Sequence, residues 1–261
     1  MIREAVSLQE METLEELQRA AWQYDEREVV PASVFIASQH TGGLIAFAYQ
    51  EHLPCGFVYS YPAYRDGRLW HHSHMLAIRP ECRGQGIAVG LKRFQRDWVL
   101  ERGIDLITWT FDPLLTRNAR LNLGKLGAYS SQYFPDFYGM RSGIYAGLAA
   151  DRLWVSWELN SERVLAALQE IPPPPLPQGQ PANRVEWREG LPYPGELLQP
   201  DSERVYLEVP FDIAKVKAAN LELARLWRSH TRQAFLYWLG RGYRVVDLAR
   251  EGERDFYQLV R

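Results

Sequence analysis

The amino-acid sequence predicts an α/β protein with a mixed, mostly antiparallel sheet, helices on both faces and a C-terminal half-repeat. Two β-rich segments, 44–50 and 55–62, flank a polar turn and predict a hairpin. A glycine-bearing loop then runs into a helical apolar stripe at 91–99. A weak echo of strand, helix, glycine, strand and strand occupies 205–261, which predicts that part of the first domain is repeated.

The remaining elements follow from local signals in chain order. Ser7 and Glu10 form a capping box that starts a helix reaching about Trp22. Pro31 starts a second short helix, which ends at two glycines. Apolar runs predict further strands, and a last helix is expected before Gly127. The predicted strands are 70–78, 104–111 and 152–159, and the predicted helix is 116–126.

The repeat and a proline-rich segment predict three parts of the chain. The first domain spans 1–160 and contains the glycine loop. Residues 161–183, which include PPPPLPQGQP, are expected to be a semi-rigid linker, with a docking site for a proline-binding domain as the alternative. The half-repeat, 184–261, has no counterpart of the glycine loop.

Composition excludes several classes of function. The formal net charge of −2 offers no basic surplus for neutralising phosphates, so nucleic acid is not an expected partner. No run of about 18 apolar residues occurs, so no membrane span is expected. Two cysteines make neither a disulfide framework nor a zinc pattern. The chain has no apolar signal segment, and a cytoplasmic location is the expectation.

The most specific motif is the loop Arg83-Gly84-Gln85-Gly86-Ile87-Ala88, between a predicted strand and helix. Glycines let backbone N–H groups approach phosphate oxygens closely, and a helix N-terminus adds partial positive charge. A pyrophosphate is therefore the expected ligand, against the alternative of a plain turn. A dinucleotide fingerprint lacks its third glycine, because Val89 stands there, and the Gly-Lys-Ser/Thr of a Walker loop is absent.

Arg83-x-x-Gly86-x-Ala88 resembles the signature with which GNAT-superfamily acyltransferases hold the pyrophosphate of coenzyme A. Asn118 with Leu126-Gly127 resembles the second motif of that superfamily and implies that Asn118 contacts the cofactor. The resemblance covers about residues 1–160. It implies acetyl-CoA or another acyl-CoA, succinyl-CoA included, as co-substrate, and no metal. The implied cofactor contacts are Leu76, Ala77, Ile78, Arg83, Gly84, Gln85, Gly86, Ile87, Ala88 and Asn118.

A narrower resemblance concerns the acceptor. The segments HSHMLAI, WTFDPL and DRLWVSWEL are similar to a bacterial GNAT subfamily, some of whose members are associated with N-acylamino-acid racemases of the o-succinylbenzoate synthase type. This association implies a small-molecule amine, an amino acid above all, as acceptor. It also implies an acetyl or succinyl donor.

Two histidines suit the proton transfer that such a reaction needs. Residues two apart on a strand share a face, so His72 and His74 are expected to point the same way, with Leu76 and Ile78 beyond them. Histidine has an unperturbed pKa of about 6.5 and can take a proton from an amine. The pair resembles that of serotonin N-acetyltransferase, and His74 is the expected general base with His72 assisting. For His72, a purely structural role, in which the ring only makes hydrogen bonds within the protein, is an equally good interpretation.

A metal site is the weaker interpretation of the same stretch. His71 should point away from the other two histidines, and no further ligand stands at diagnostic spacing. The resemblance also implies that main-chain N–H groups near Leu76 hold the thioester carbonyl, and that Leu76 and Ile78 pair with the pantetheine arm. Many relatives have a tyrosine as general acid where this chain has Leu123. The candidates to replace it are Tyr129, Tyr133, Tyr138 and solvent.

Candidate acceptor contacts come from the second motif and the aromatic stretch after it. An arginine could clamp a carboxylate, although a solvated or ion-paired arginine is the simpler interpretation. The residues proposed for substrate binding are Arg117, Arg141 and Tyr138, and Arg120 is a further candidate. Asp112 could bind an amine or cap the next turn.

The expected mechanism is direct attack of the amine on the thioester in a ternary complex. A homodimer is allowed. The alternatives are a non-catalytic acyl-CoA sensor and a protein N-acetyltransferase.

Overall fold

The computed structural model describes residues 1–22, 26–139 and 146–261, and contacts divide the chain into two compact units. The described part of the first unit is 1–22 and 26–109, and that of the second is 110–139 and 146–261. This division by contacts falls at a different point from the predicted domain boundaries at 160 and 183. Those boundaries concern functional domains and stay a prediction.

The first unit is a five-strand sheet segment with helices on both faces. Its strands are β1 (Ile2–Glu4), β2 (Leu44–Gln50), β3 (Leu53–Arg65), β4 (Arg68–Ile78) and β5 (Leu106–Phe111), the last of which ends beyond the division. Its helices are α1 (Leu8–Trp22), α2 (Ala32–His40) and α3 (Ile87–Leu100), with a 3₁₀ turn at Pro80–Cys82. The order β1-β2-β3-β4-β5 is antiparallel except for the parallel β4–β5 pair. The predicted mixed, mostly antiparallel sheet is confirmed.

The capping box at the start of α1 is confirmed. The N–H of Glu10 donates to Ser7 Oγ (3.3 Å), and the N–H of Ser7 donates to Glu10 Oε2 (3.1 Å). Glu10 also receives hydrogen bonds from Arg3 and from the Tyr49 hydroxyl, both 2.6 Å long. Partial burial disfavours its charge, but these hydrogen bonds outweigh it and lower the pKa of Glu10 to about 2.

The two faces of this sheet carry different helices. On one face α1 and α2 cover the core, where Phe35 packs edge-on against Tyr59 with ring centroids 4.9 Å apart. On the other face α3 lies over β4, where Trp98 is 5.5 Å from the His71 ring. The alternation of side chains along β3 and β4 therefore decides which residues meet which helix.

The second unit begins with a short helix and an unusual turn. The α-helix α4 (Thr116–Ala119) continues as a π-helix over Arg120–Lys125, so the predicted helix 116–126 is α-helical only in its first turn. The wide turn is seen in the hydrogen bond from the N–H of Leu126 to the carbonyl of Leu121 (3.0 Å). Gly124 leaves the room that the Arg120 guanidinium occupies, since a Cβ at Gly124 would collide with it.

The rest of this unit is a second sheet segment with its own helices. Its strands are β6 (Tyr129–Phe134), β7 (Arg152–Glu158), β8 (Gln180–Pro181), β11 (Arg204–Val209), β12 (Arg244–Glu251) and β13 (Arg254–Val260), in the order β7-β6-β12-β13-β11-β8. A separate hairpin joins β9 (Asn183–Arg188) and β10 (Leu191–Leu197). Its further helices are α5 (Glu162–Gln169), α6 (Ile213–Ala219) and α7 (Leu221–Leu239).

The predicted C-terminal repeat is present in this unit. Strand β11 leads through α6 and α7 to the antiparallel pair β12–β13, as α4 leads to the antiparallel pair β6–β7. Gly127 and Gly242, which precede the first strand of each pair, both have positive φ (70° and 84°). The pairs meet edge to edge at Ser130 and Val245. The extra C-terminal strands thus extend the sheet with a second half-motif.

The proline-rich segment is held against the rest of the second unit. The N–H of Arg250 donates to the Pro175 carbonyl (2.8 Å), and the N–H of Gln178 donates to the Gln258 side chain (3.3 Å). Arg120 donates to the Pro172 carbonyl. None of the helices in the described ranges has the length and apolar character that crossing a membrane requires.

Candidate active site

A β-bulge marks the centre of the candidate site. In the β3–β4 register, Tyr59 pairs with Met75 and Ser60 pairs with Ser73, so His74 is the extra residue of β4. The parallel pairing of β4 with β5 ends close by, at His72 and Thr108. Beyond His72, within the described residues, β4 is paired on its β3 side alone. Strands β4 and β5 thus separate next to His72 and His74.

The predicted common face of His72 and His74 is present. Their rings lie 6.4 Å apart, and the Tyr61 ring contacts both, at 5.6 Å from His72 and 5.8 Å from His74. Tyr59 meets His74 edge-on at 6.0 Å. This cluster of two histidines and two tyrosines lies on the sheet face that α1 and α2 cover.

The prediction that Leu76 and Ile78 continue this face is wrong. Met75 and Ala77 instead join the core cluster that contains Tyr59. The reason is the bulge at His74, because an extra residue shifts the alternation of side chains by one position. Leu76 and Ile78 are half-buried and Ala77 is buried, and all three keep their pairing with β3.

His71 points to the opposite face, as predicted. Its Nδ1 lies 2.9 Å from Ser60 Oγ and its Nε2 lies 3.2 Å from the Gly42 carbonyl, so both ring nitrogens have protein partners. Among the described residues, no group of three or more histidine, cysteine, aspartate or glutamate side chains is arranged to hold a metal ion.

Burial sets the protonation of the site histidines. Burial above all, together with the positive charge that His74, Lys92 and His71 can carry, lowers the pKa of His72 to about 4. Burial also lowers the pKa of His74. Both rings are therefore neutral at pH 7, which is the form that can accept a proton.

Sequence reasoning missed Lys92, which lies under the parting strands. Its Nζ donates to Gln95 Oε1 (2.6 Å) and Ser73 Oγ (3.2 Å) and sits 3.8 Å from the centroid of the Trp109 ring. The residue is 2% exposed, and burial lowers the pKa of its amine well below the ordinary value. The available signal was the position of Lys92 directly after Leu91, the first residue of the apolar stripe of α3. A lysine is rarely buried unless it has partners, so a lysine beside such a stripe indicates a buried polar contact.

The glycine loop is exposed and open. Gly84 and Gly86 have φ of 81° and 79°, a region that favours glycine, and Gly86 is the N-cap of α3. A Cβ at either position would meet nothing within 4 Å, so the glycines are needed for backbone conformation and not for packing. No side chain caps α3, which leaves the N-terminal N–H groups of the helix for a ligand. Gln85 is exposed, and Ile87 and Ala88 are half-buried.

The Arg83 side chain turns back onto the protein. Its Nε donates to the Ile78 carbonyl and its guanidinium to the Ala21 carbonyl, each at 3.3 Å. These bonds join the end of β4 and the last turn of α1 to the start of the loop. Arg83 therefore fixes the start of the loop against β4 and α1.

The second-motif residues lie in the second unit. Arg117 and Asn118 are exposed on α4. Tyr138 is 40% exposed, and its hydroxyl is 3.4 Å from Thr110 Oγ1. Arg141 lies outside the described residues.

The candidate general acids differ in their surroundings. Leu123 is fully buried in the π-helix. The Tyr133 hydroxyl donates to Asp151 (2.6 Å), and burial with this carboxylate raises the pKa of Tyr133 well above its usual range. The Tyr129 hydroxyl donates to Glu158 (2.8 Å), and its pKa is likewise raised by burial and that carboxylate. Both hydroxyls are thus committed to carboxylates, and Tyr138 is the more exposed alternative.

Asp112 caps the next turn, as one interpretation predicted. Its Oδ1 accepts the N–H of Leu114 (2.8 Å). The carboxylate also receives two hydrogen bonds from Arg228, at 2.9 and 2.6 Å, in a pair that is about 5% exposed on either side chain. Asp112 is therefore occupied by a structural ion pair.

Comparison with known proteins agrees with this architecture. Two solved structures share the fold: a proposed acetyltransferase of the GNAT family from Desulfovibrio desulfuricans and the ribosomal-protein-S18-alanine N-acetyltransferase from Escherichia coli. The first is 14% identical with a TM-score of 0.51, over 61% of this chain and 98% of that one. The second is 14% identical with a TM-score of 0.50, over 62% of this chain and 94% of that one. Among curated proteins, none matches the chain in sequence.

The fold is thus GNAT-like. Residues 9–127 match the family model described as Acetyltransferase (GNAT) family. This segment contains the site histidines, the glycine loop and Asn118. The narrower subfamily resemblance stays a prediction.

Proposed function

We propose that the protein is an acyl-CoA-dependent N-acyltransferase that moves an acetyl or succinyl group to the amine of a small molecule, an amino acid above all. The observation that carries this proposal is the loop Gly84–Ala88, which is exposed up to Gly86, has two glycines at positive φ and leads into a helix that no side chain caps. Such an arrangement suits a diphosphate, because amide hydrogens and the positive end of the helix dipole meet at one point.

The β4 strand supplies the second requirement. Acyl transfer to an amine needs a group that takes the amine proton, and His74 is neutral and sits at the bulge where β4 leaves β5. The amine lone pair attacks the thioester carbonyl, the C–N bond forms, and the C–S bond breaks with its electron pair on sulfur. His74 receives the amine proton, directly or through water. Main chain from Leu76 to Ile78 pairs with the pantetheine arm.

The acceptor is the least constrained part of the proposal. The cluster of His72, His74, Tyr59 and Tyr61 offers aromatic faces and neutral imidazoles, which suit a compact amine. The proposed acceptor contacts remain Arg117, Arg141 and Tyr138. A carboxylate on the acceptor would explain an arginine there, since guanidinium binds carboxylates bidentately.

A panel of acyl-CoA donors against an amino acid library, read as free CoA, tests the reaction. Release of CoA with acetyl-CoA or succinyl-CoA and one group of amino acids is expected. Turnover with proteins alone would overturn the amino acid part of the proposal. No affinity for CoA in calorimetry would overturn the whole.

A non-catalytic acyl-CoA sensor is the second candidate, because the buried Leu123 cannot supply the acid that many relatives have. His74→Ala separates the two. In an enzyme the variant should lose about 10²–10⁴-fold in turnover, the usual contribution of a positioned base, with CoA affinity unchanged. A sensor has no turnover to lose, so wild-type protein without CoA release for any acceptor would favour it.

A further inference from the structure

The hydroxyl of Thr108 lies between the Trp70 indole and the His72 imidazole. Trp70 Nε1 is 3.0 Å from Thr108 Oγ1, and His72 Nδ1 is 2.9 Å from the same oxygen. Thr108 is 3% exposed and pairs with His72 in the β4–β5 register, at the last pair before the strands part. This hydroxyl therefore links the sheet to a site histidine.

The hydrogens of these three groups have one satisfactory arrangement. An indole N–H can only donate, so Thr108 Oγ1 accepts from Trp70. The threonine hydroxyl has a single hydrogen of its own, and the acceptor that the described residues offer it is His72 Nδ1. A neutral imidazole whose Nδ1 accepts carries its hydrogen on Nε2.

The opposite arrangement leaves a polar hydrogen without a partner. If His72 Nδ1 donated to Thr108, the hydroxyl would accept twice, and its own hydrogen would point at no acceptor that the described residues provide. Thr108 is too buried for water to compensate easily. A doubly protonated His72 has the same fault. It is also disfavoured by the positive charge that can develop nearby, on His74 on its own face and on Lys92 and His71 on the other.

We propose that Thr108 is a positioning residue that holds His72 as the Nε2–H tautomer, so that His72 donates a hydrogen bond in the site and proton abstraction is left to His74. The division of labour rests on the proposed function, whereas the tautomer does not. It specifies the sequence prediction that His72 assists His74: His72 assists as a hydrogen-bond donor.

This assignment gives the two histidines complementary work. In the reaction, negative charge develops on the thioester carbonyl oxygen while the amine loses a proton. A preorganised N–H donor stabilises the first change and a neutral ring nitrogen accepts the second. His72 Nε2–H is a donor, and its Nδ1 lone pair is used by Thr108. The amine proton therefore goes to His74, and the departing thiolate is protonated from solvent.

Nitrogen-15 NMR of the histidine-labelled full chain at pH 7 tests the tautomer without any substrate. His72→Gln identifies the His72 signals by their disappearance. The expected result is an Nδ1 resonance typical of an unprotonated, hydrogen-bonded ring nitrogen and an Nε2 resonance typical of a protonated one. A protonated Nδ1, or two averaged resonances, would overturn the proposal whatever the enzyme turns over.

Three variants test the origin of the preference. Thr108→Val removes the hydroxyl at nearly constant shape, and Trp70→Phe frees the lone pair that the indole occupies. Both should move the His72 resonances toward a tautomer average. Thr108→Ser keeps the hydroxyl and should keep the wild-type spectrum. Unchanged resonances in Thr108→Val would show that something else fixes the tautomer.

The roles are separated by glutamine variants, assayed as free CoA from acetyl-CoA with the amino acid of the panel that releases most. A glutamine amide can donate near the position of Nε2 but cannot accept a proton at neutral pH. His74→Gln should lose about 10²–10⁴-fold in activity, and His72→Gln, which keeps a donor, should lose markedly less. Equal large losses, or the reverse order, would refute the division of labour. If no amino acid releases CoA, the proposed function fails while the NMR result still stands.

Discussion

The strongest prediction concerns Gly86, the N-cap of α3, where a methyl group would enter the space proposed for the diphosphate. In Gly86→Ala the backbone stays at a φ of 79°, which costs an L-residue about 1–2 kcal/mol. A Cβ there meets no protein atom within 4 Å, so the variant should fold. The strain exists with and without ligand and largely cancels in binding.

The loss of affinity therefore measures the ligand. Hydrogen bonds to a charged group contribute about 1.5–3 kcal/mol each. Displacing one N–H from a phosphate oxygen should weaken CoA binding about 10- to 100-fold, at 1.4 kcal/mol per tenfold. Calorimetry with CoA gives this ratio directly.

Gly103 provides a matched control for the same experiment. It follows α3, has a φ of 73° and likewise has open space around a Cβ. Gly103→Ala should cost similar stability, measured by urea unfolding, and leave CoA affinity unchanged. Equal affinity in the Gly86 and Gly103 variants would refute the assignment of the diphosphate to the glycine loop.

Two further predictions concern stability. Burial lowers the pKa of His71, His72 and His230 to about 4. Between pH 6.5 and 4 the unfolded chain therefore binds protons that the folded chain does not bind, and acid destabilises the fold. From pH 7 to pH 5 the free energy of unfolding should fall by about 2 kcal/mol for each of these histidines, and a flat urea midpoint over this range would contradict the argument. Arg228→Met leaves the buried Asp112 charge without its partner and should lower the free energy of unfolding by about 3–5 kcal/mol. Adding Asp112→Asn removes the charge, keeps an oxygen for the N–H of Leu114 and should recover part of this loss. A mild loss in the single variant would show that the pair contributes little.

Sequence patterns predicted the parts of the fold that local chemistry determines. The capping box at Ser7 and Glu10, the hairpin 44–50 with 55–62 and the glycine stop at 103 each depend on neighbouring residues, and all are present. The second half-motif was also predicted, because its strands and its glycine repeat the earlier order.

The bulge could not be predicted from β4 alone. No residue type in the stretch from Trp70 to Ile78 marks a bulge, and the extra residue at His74 appears only when β4 is aligned with β3. The same limit applies to Asp112 and Arg228, which lie 116 positions apart in the chain. Pairings of this kind depend on the whole fold, so a single sequence does not reveal them.

The missing tyrosine at position 123 has a physical explanation in the fold. Leu123 is fully buried inside the π-helix, so its side chain is part of the core and not of an open site. In the proposed reaction the leaving group is a thiolate, and a thiol has a pKa of about 8.5. A thiolate departs as a weak base and can be protonated by solvent afterwards, whereas the amine must lose its proton before the product is stable. The demanding proton transfer is therefore the one assigned to His74, and the chain can do without a fixed acid.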